Sequence, residues 1–360
     1  MCKNMSSMFT ILPLLAMAGI ATAGRLPAKK IYQGFNSGNM LMDRTAKNES
    51  DFRKEFETMQ SLPNSPGLFN AVRLYTNIQG YPKTPSEPLS AFQAAIDTNT
   101  SLLLGIWCSG TTNITFELDA MMEAIDTYGK KLADLVIAIS VGSEDLYRTS
   151  EKGIEQGAGI GTYPANLTGF IKDTRERIKH TLLADKPIGH VDTWTSWMNT
   201  SNSEVTEAVD WIGVDIYPFF EKDPKVREFI PGNLSNTIDN AVTFFDALYE
   251  VTLDASKGKP VWITETGWPY ANKGNPWGEA KASVANQQTY WQEIGCSKLF
   301  GRVNTFWYTL RDGNPDSDIT FAVVADKLDL GPRFDLTCPA GSGAPATVNC
   351  SKDKYGPSTG

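Results

Sequence analysis

Eight short apolar runs, each followed by a segment of helical pattern, recur along this chain between residues 30 and 307. They are Lys30–Phe35, Ala71–Tyr75, Ser101–Trp107, Leu135–Val141, Pro187–Thr193, Trp211–Ile216, Pro260–Thr264 and Arg302–Trp307. Their β-branched and aromatic content reads as strand. Amphipathic helical patterns lie between them, for instance at Ile114–Tyr128, Ala165–Leu183, Ile238–Leu253 and Ser283–Leu299. Strand–helix alternation implies parallel strands joined by crossover helices. Eight such units on this length predict an α/β fold, a closed (β/α)8 TIM barrel. No linker divides the chain, so a single barrel domain is expected over residues 24–335. A Gly/Pro/Ser-rich tail at 336–360 would form a short C-terminal extension over the barrel surface. A doubly wound open sheet is the structural competitor. A nucleotide-binding sheet would carry G-x-G-x-x-G after its first strand, and Gly34-Phe35-Asn36-Ser37-Gly38-Asn39 lacks that spacing.

Chemistry on such a barrel lies at the carboxyl ends of the strands. Two strand ends carry a glutamate. The run Val261-Trp-Ile-Thr-Glu-Thr-Gly-Trp-Pro-Tyr270 puts Glu265 at the end of an apolar strand among aromatic rings. The run Leu135–Val141 leads into Gly142-Ser143-Glu144-Asp145, which puts Glu144 in the equivalent place. By strand count these are strands seven and four. A carboxylate is costly in such surroundings unless it has partners. Glycoside hydrolysis needs two carboxyls of this kind, one protonated to donate to the leaving oxygen and one ionised. Asp145 is expected to face away, as a structural residue or a helix cap.

Polar and aromatic groups recur at the other strand ends. Asn36, Arg73, Tyr75, Ser143, Tyr217, Phe220, Trp268 and Trp307 are the candidate substrate-binding residues. Aromatic rings can stack on the apolar faces of sugars. Arg73 is placed to hold a catalytic carboxylate ionised, and Tyr217 to donate to Glu265. The chain has only two histidines, His180 and His190, so no metal-ligand cluster and no cofactor are expected. No G-x-S-x-G motif occurs, which leaves a serine-hydrolase reading without support.

The first 23 residues read as an export signal: Lys3, an apolar stretch from Met8 to Ile20, and Ala21-Thr22-Ala23 as the cleavage pattern. The chain is therefore expected to be secreted, extracellular or associated with the cell wall. No other stretch is long and apolar enough to span a bilayer. The polar end of the tail predicts a soluble or wall-associated protein rather than a lipid-anchored one. A net charge of −8, without a basic run, argues against nucleic acid as a partner. A monomer is expected. Of five cysteines, Cys2 falls in the signal. Cys108, Cys296, Cys338 and Cys350 remain, and an even count in an exported chain favours disulfides. Cys338 and Cys350 flank a Gly/Ala/Pro-rich loop and are the easiest pair to imagine, although three pairings are open. Sequons at Asn48, Asn99, Asn113, Asn166, Asn199, Asn233 and Asn349 fit a glycosylated surface.

Taken together, Ile263-Thr-Glu-Thr-Gly-Trp-Pro269, Ile31-Tyr-Gln-Gly-Phe-Asn36, Val72-Arg-Leu-Tyr75, Val141-Gly-Ser-Glu144 and Ile212-Gly-Val-Asp-Ile-Tyr-Pro-Phe219 resemble glycoside hydrolase family 17, the β-1,3-glucanases. The resemblance covers nearly the whole chain after the signal and is strongest to the secreted fungal cell-wall branch. It implies a retaining endo-hydrolase of β-1,3-glucan with Glu265 as nucleophile and Glu144 as general acid/base. Retention predicts carboxyl groups about 5–5.5 Å apart. Two positions depart from the pattern. Ser143 stands where an asparagine usually contacts the sugar 2-hydroxyl, and Thr309 stands near a place that is acidic in some members. Two other readings accompany this one. The same intermediate captured by a sugar gives a β-1,3-glucanosyltransferase, and a barrel without turnover would be a wall glucan-binding protein.

Overall fold

The computed structural model describes residues 30–348 except 224, 225, 227, 231 and 326. The expected signal at 1–23, the sequon at Asn349 and Cys350 lie outside the described residues.

All eight expected strands form. They are β1 (Gln33–Ser37), β2 (Ala71–Leu74), β3 (Ser101–Ile106), β4 (Val136–Ser143), β5 (Ile188–Thr193), β6 (Trp211–Asp215), β7 (Val261–Glu265) and β8 (Thr305–Trp307). Each pairs in parallel with its neighbours, and β1 pairs with both β2 and β8, closing the barrel. Two boundaries differ from the sequence reading for local reasons. The Tyr32 amide donates to the Asn304 side chain at 2.8 Å, so β1 enters its ladder later than Lys30. The amides of Arg302 and Val303 both turn back to the Leu299 carbonyl, which delays β8 to Thr305.

Two apolar layers hold the barrel. Ala71, Leu103, Ala138, Val191, Trp211, Trp262 and Phe306 make one small cluster, with the Trp211 and Trp262 rings stacked at 4.3 Å. A larger one joins the strands to the surrounding helices, and it includes Leu102 and Leu104 on either side of Leu103. This alternation is the period-two pattern of a strand covered on both faces. Gly189 on β5 makes room for the inner cluster, because a β-carbon there would lie 2.3 Å from the Trp211 ring.

The expected helices form at Thr115–Tyr128, Pro164–Ile178 and Ala241–Ala255. The fourth begins as an α-helix at Val284–Tyr290 and continues as a π-helix over Trp291–Leu299. No helix of the described residues is long and apolar enough to cross a membrane.

The tail is tethered, but not as the loop spacing suggested. Cys338 pairs with Cys296 on the π-helical segment, with Cα atoms 5.5 Å apart. Cys338 is thereby spent, which excludes its pairing with Cys350. The Arg302 guanidinium holds the same turn through the carbonyls of Cys296 and Ser342. Further on, Thr347–Val348 pairs antiparallel with Ser65–Pro66. Cys108 is a buried free thiol. The bridge spans a sequence separation of 42, so a Cys338→Ala variant should lose about 2–4 kcal/mol of stability in urea unfolding. Unchanged stability would show that the bridge does not restrain the tail.

Candidate active site

Glu265 is the last residue of β7 and Glu144 follows the last residue of β4. The strand positions inferred from the sequence hold. Both side chains line a single cleft of about 330 Å³ at the carboxyl ends of the strands.

The two carboxyls are held very differently. Arg73 on β2 points across the barrel mouth and is 1% exposed. Its Nη1 donates to Glu265 Oε1 at 2.6 Å and to Asn36 Oδ1 at 2.9 Å. Its Nη2 donates to the Ser143 hydroxyl at 2.8 Å. The Tyr75 hydroxyl donates to Glu265 Oε1 at 2.7 Å, and the Tyr217 hydroxyl donates to Oε2 at 2.8 Å. Burial, and then the Glu265 charge, push both phenols well above their usual range, so they remain donors. Glu265 thus receives three donors and one full positive charge, an environment matched to the anion.

The Arg148 guanidinium lies 3.7 Å from the Glu144 carboxyl, and the Glu144 side chain is 26% exposed. Burial, followed by the negative charge of Glu265, pushes its carboxyl up to about 7. It therefore keeps a proton in a range where an ordinary glutamate has lost one. Asp215, at the end of β6 and in register with Glu265, accepts the Thr264 hydroxyl at 2.7 Å. Burial and Glu265 also raise its carboxyl well above the usual range. The cleft sets the clamped Glu265 beside Glu144 and Asp215, whose carboxyls both hold their protons more tightly than usual, the contrast that acid–base chemistry uses.

The backbone that presents Glu144 is unusual. β4 gains one residue against β5 between Ser140 and Ser143. Gly142 adopts φ +85° there. A β-carbon on it would lie 2.2 Å from Asp145 Oδ2 and 3.0 Å from the His190 ring. Asp145 does face away from the cleft. Its Oδ2 accepts the Ser143 amide at 2.8 Å and its Oδ1 the Ser109 hydroxyl at 2.7 Å.

Not every sequence candidate reaches the cleft. Tyr217 and Phe220 line it. Asn36 spends its amide on the carbonyls of Thr264 and Phe306, at 3.0 Å each, and its oxygen on Arg73. Ser143 likewise serves Arg73, and Tyr75 serves Glu265. Trp268 and Trp307 are fully buried and do not form the sugar platform expected of them. Trp268 packs on Phe219 and donates to the Lys281 carbonyl, while Trp307 packs on Trp291. Other rings line the cleft instead, among them Trp277 and Phe321, which follow the strands at a distance on loops. No periodic pattern marks loop residues, and only their aromatic character could have flagged them.

Residues 34–323 match the sequence profile of the BtgE/BtgC glycoside hydrolase domain. A protein of Aspergillus fumigatus named probable glucan endo-1,3-beta-glucosidase is 46% identical over 335 residues, covering 93% of this chain and 70% of that protein. Among solved structures, a family 17 β-1,3-glucanosyltransferase from Rhizomucor miehei is similar with a TM-score of 0.59 at 21% identity, over 81% of this chain and 92% of that one. An endo-laminarinase from Formosa reaches a TM-score of 0.66 at 15% identity, over 89% and 92%. At these identities the two structures speak for the fold alone, and it is the expected barrel.

The Gly142 geometry yields a stability test. A Gly142→Ala variant should be destabilised by about 1–3 kcal/mol in chemical denaturation. An unaffected variant would show that residues 142–144 tolerate another backbone path.

Proposed function

Because the chain belongs to the BtgE/BtgC glycoside hydrolase family, we propose that it is a retaining endo-β-1,3-glucanase acting on laminarin-type cell-wall glucan. The observation that carries this reading is the contrast inside one cleft between Glu265, clamped by Arg73 and two phenols, and Glu144, which keeps its proton up to about 7.

In the proposed reaction Glu144 gives its proton to the glycosidic oxygen as the bond to the anomeric carbon breaks. Glu265 attacks that carbon from the opposite face and forms a glycosyl-enzyme, and the shortened glucan leaves. Glu144, now ionised, takes a proton from water. The hydroxide adds to the anomeric carbon and Glu265 departs as the carboxylate. As the negative charge passes from Glu265 to Glu144 and back, Arg73 remains in place. The cleft adjoins a second cavity of about 710 Å³, and Lys152, Trp194 and Thr195 line both. A groove of that extent has room for several sugar units, as cleavage within a chain requires.

The aromatic wall favours a second reading. Phe220 and Trp277 meet at 4.9 Å between ring centroids, and Phe321 lies beside them in the cleft. An acceptor sugar stacked there would compete with water for the same intermediate, giving glucanosyl transfer. Secretion belongs to the proposal too. The leader-like start supports it, as do the sequon asparagines among the described residues, all of which are exposed.

Product analysis on laminarin and laminari-oligosaccharides, with anomer detection, tests the reading. Shorter β-anomeric products are expected for hydrolysis and products longer than the substrate for transfer. An inverted anomer or no turnover would contradict both. Glu265→Ala should abolish cleavage, and Glu144→Gln should lower kcat/KM by about 10²–10⁴. Full activity in both variants would refute the assignment. The acid must be protonated to act, so kcat/KM should fall as pH rises through about 7. A basic limb no higher than an ordinary glutamate would give contradicts the assigned donor.

A further inference from the structure

Glu144 adopts φ +56° and ψ +26°, a left-handed conformation. For a residue with a β-carbon this is strained and persists only where the surroundings over-determine it. The surroundings that do so lie on β5, beneath the turn. The Glu144 amide donates to the Val191 carbonyl at 2.8 Å. On either side of Val191 are His190 and Asp192, both fully buried and neither lining the cleft.

Asp192 accepts the amide of Leu146 on Oδ2 at 2.9 Å. Its Oδ1 accepts the amides of Tyr147 at 3.2 Å and Thr193 at 2.8 Å. The first two belong to the chain directly after Glu144. His190 Nδ1 lies 2.7 Å from the Val141 carbonyl oxygen, at the extra residue of β4, and Nε2 lies 3.0 Å from Asp192 Oδ2. The His190 ring therefore bridges the Val141 carbonyl and the Asp192 side chain, one nitrogen to each. Asp145 holds the Ser143 amide, and the Trp197 ring closes the site edge-on at 5.6 Å. The chain is thus gripped both before Glu144, at Val141 and Ser143, and after it, at Leu146 and Tyr147.

We infer that the buried, hydrogen-bonded His190–Asp192 pair is a positioning device for the acid/base: it holds the strained turn that aims Glu144 across the cleft. The inference rests on the reading of Glu144 as proton donor. His190 and Asp192 touch no substrate and act only through Glu144.

Its signature is selective. A misplaced acid slows departure of a poor leaving group, such as a glucan hydroxyl, far more than that of an activated phenol, which needs no proton. Asp192→Asn and His190→Gln should therefore lower kcat/KM on laminarin at least about tenfold more than on a dinitrophenyl β-laminaribioside. Glu144→Ala supplies the reference pattern. If Glu144→Ala lacks this selectivity, the donor assignment fails and the inference falls with it. If Glu144→Ala shows it and the two β5 variants lose both substrates equally, the positioning role alone is refuted. A second arm needs no variant of β5. The chain has two histidines, so ring-¹⁵N NMR of the full protein, with His180→Gln to assign the exposed one, reads His190 directly. Both ring nitrogens are expected to show hydrogen-bonded ¹⁵N signals, and a nitrogen that behaves like that of a solvent-exposed imidazole would overturn the bridge.

Discussion

Arg73 is a guanidinium buried at the mouth of a barrel, and much of the site is organised around keeping it there. A lone buried charge is prohibitive, and removing one partner of a buried pair costs about 3–5 kcal/mol. Glu265 supplies the countercharge, while Asn36 and Ser143 accept the remaining donors that are paired. Those partners come from β7, β1 and β4, and Arg73 itself comes from β2. One side chain thus ties four of the eight strands together at the face where the chemistry lies. Its planar fork reaches several acceptors at once, which a lysine ammonium would not reproduce.

With Arg73 committed to Glu265, Glu144 has the Arg148 guanidinium at 3.7 Å. Burial then outweighs that contact, and the anion on Glu265 adds to it. The difference between the two carboxyls follows from which strand carries the arginine. Asp215 fits the same logic. Burial and the Glu265 charge both disfavour ionisation there, so its environment favours the neutral form.

The barrel was legible because its strands are covered on both faces and therefore read as unbroken apolar runs. Glu144 and Glu265 were legible because each interrupts such a run at its carboxyl end. The donation from Tyr217 to Glu265, and the hold of Arg73 on one of the two strand-end carboxylates, followed from charge and donor chemistry; that Arg73 takes Glu265 is seen only in the structure. The family resemblance drawn from the strand-end motifs holds. What the sequence did not disclose depends on side-chain direction and on loops. Trp268 and Trp307 sit at strand ends but turn into the core, while Trp277 and Phe321 reach the cleft from loops with no periodicity. Asn36 and Ser143 look like sugar contacts until the demands of Arg73 are counted. The bridge between Cys296 and Cys338 depends on the path of the tail, which loop length cannot predict. The His190–Asp192 pair escaped notice because a single histidine on a strand carries no pattern.

The central claim is that Glu265 forms a covalent bond to the sugar while Glu144 manages the proton. A 2-deoxy-2-fluoro-laminaribiosyl fluoride would slow release of the intermediate enough to trap it. Peptide mass spectrometry of the inactivated protein should then find the fluorosugar on Glu265. A label on another residue, or inactivation without a covalent adduct, would contradict the account.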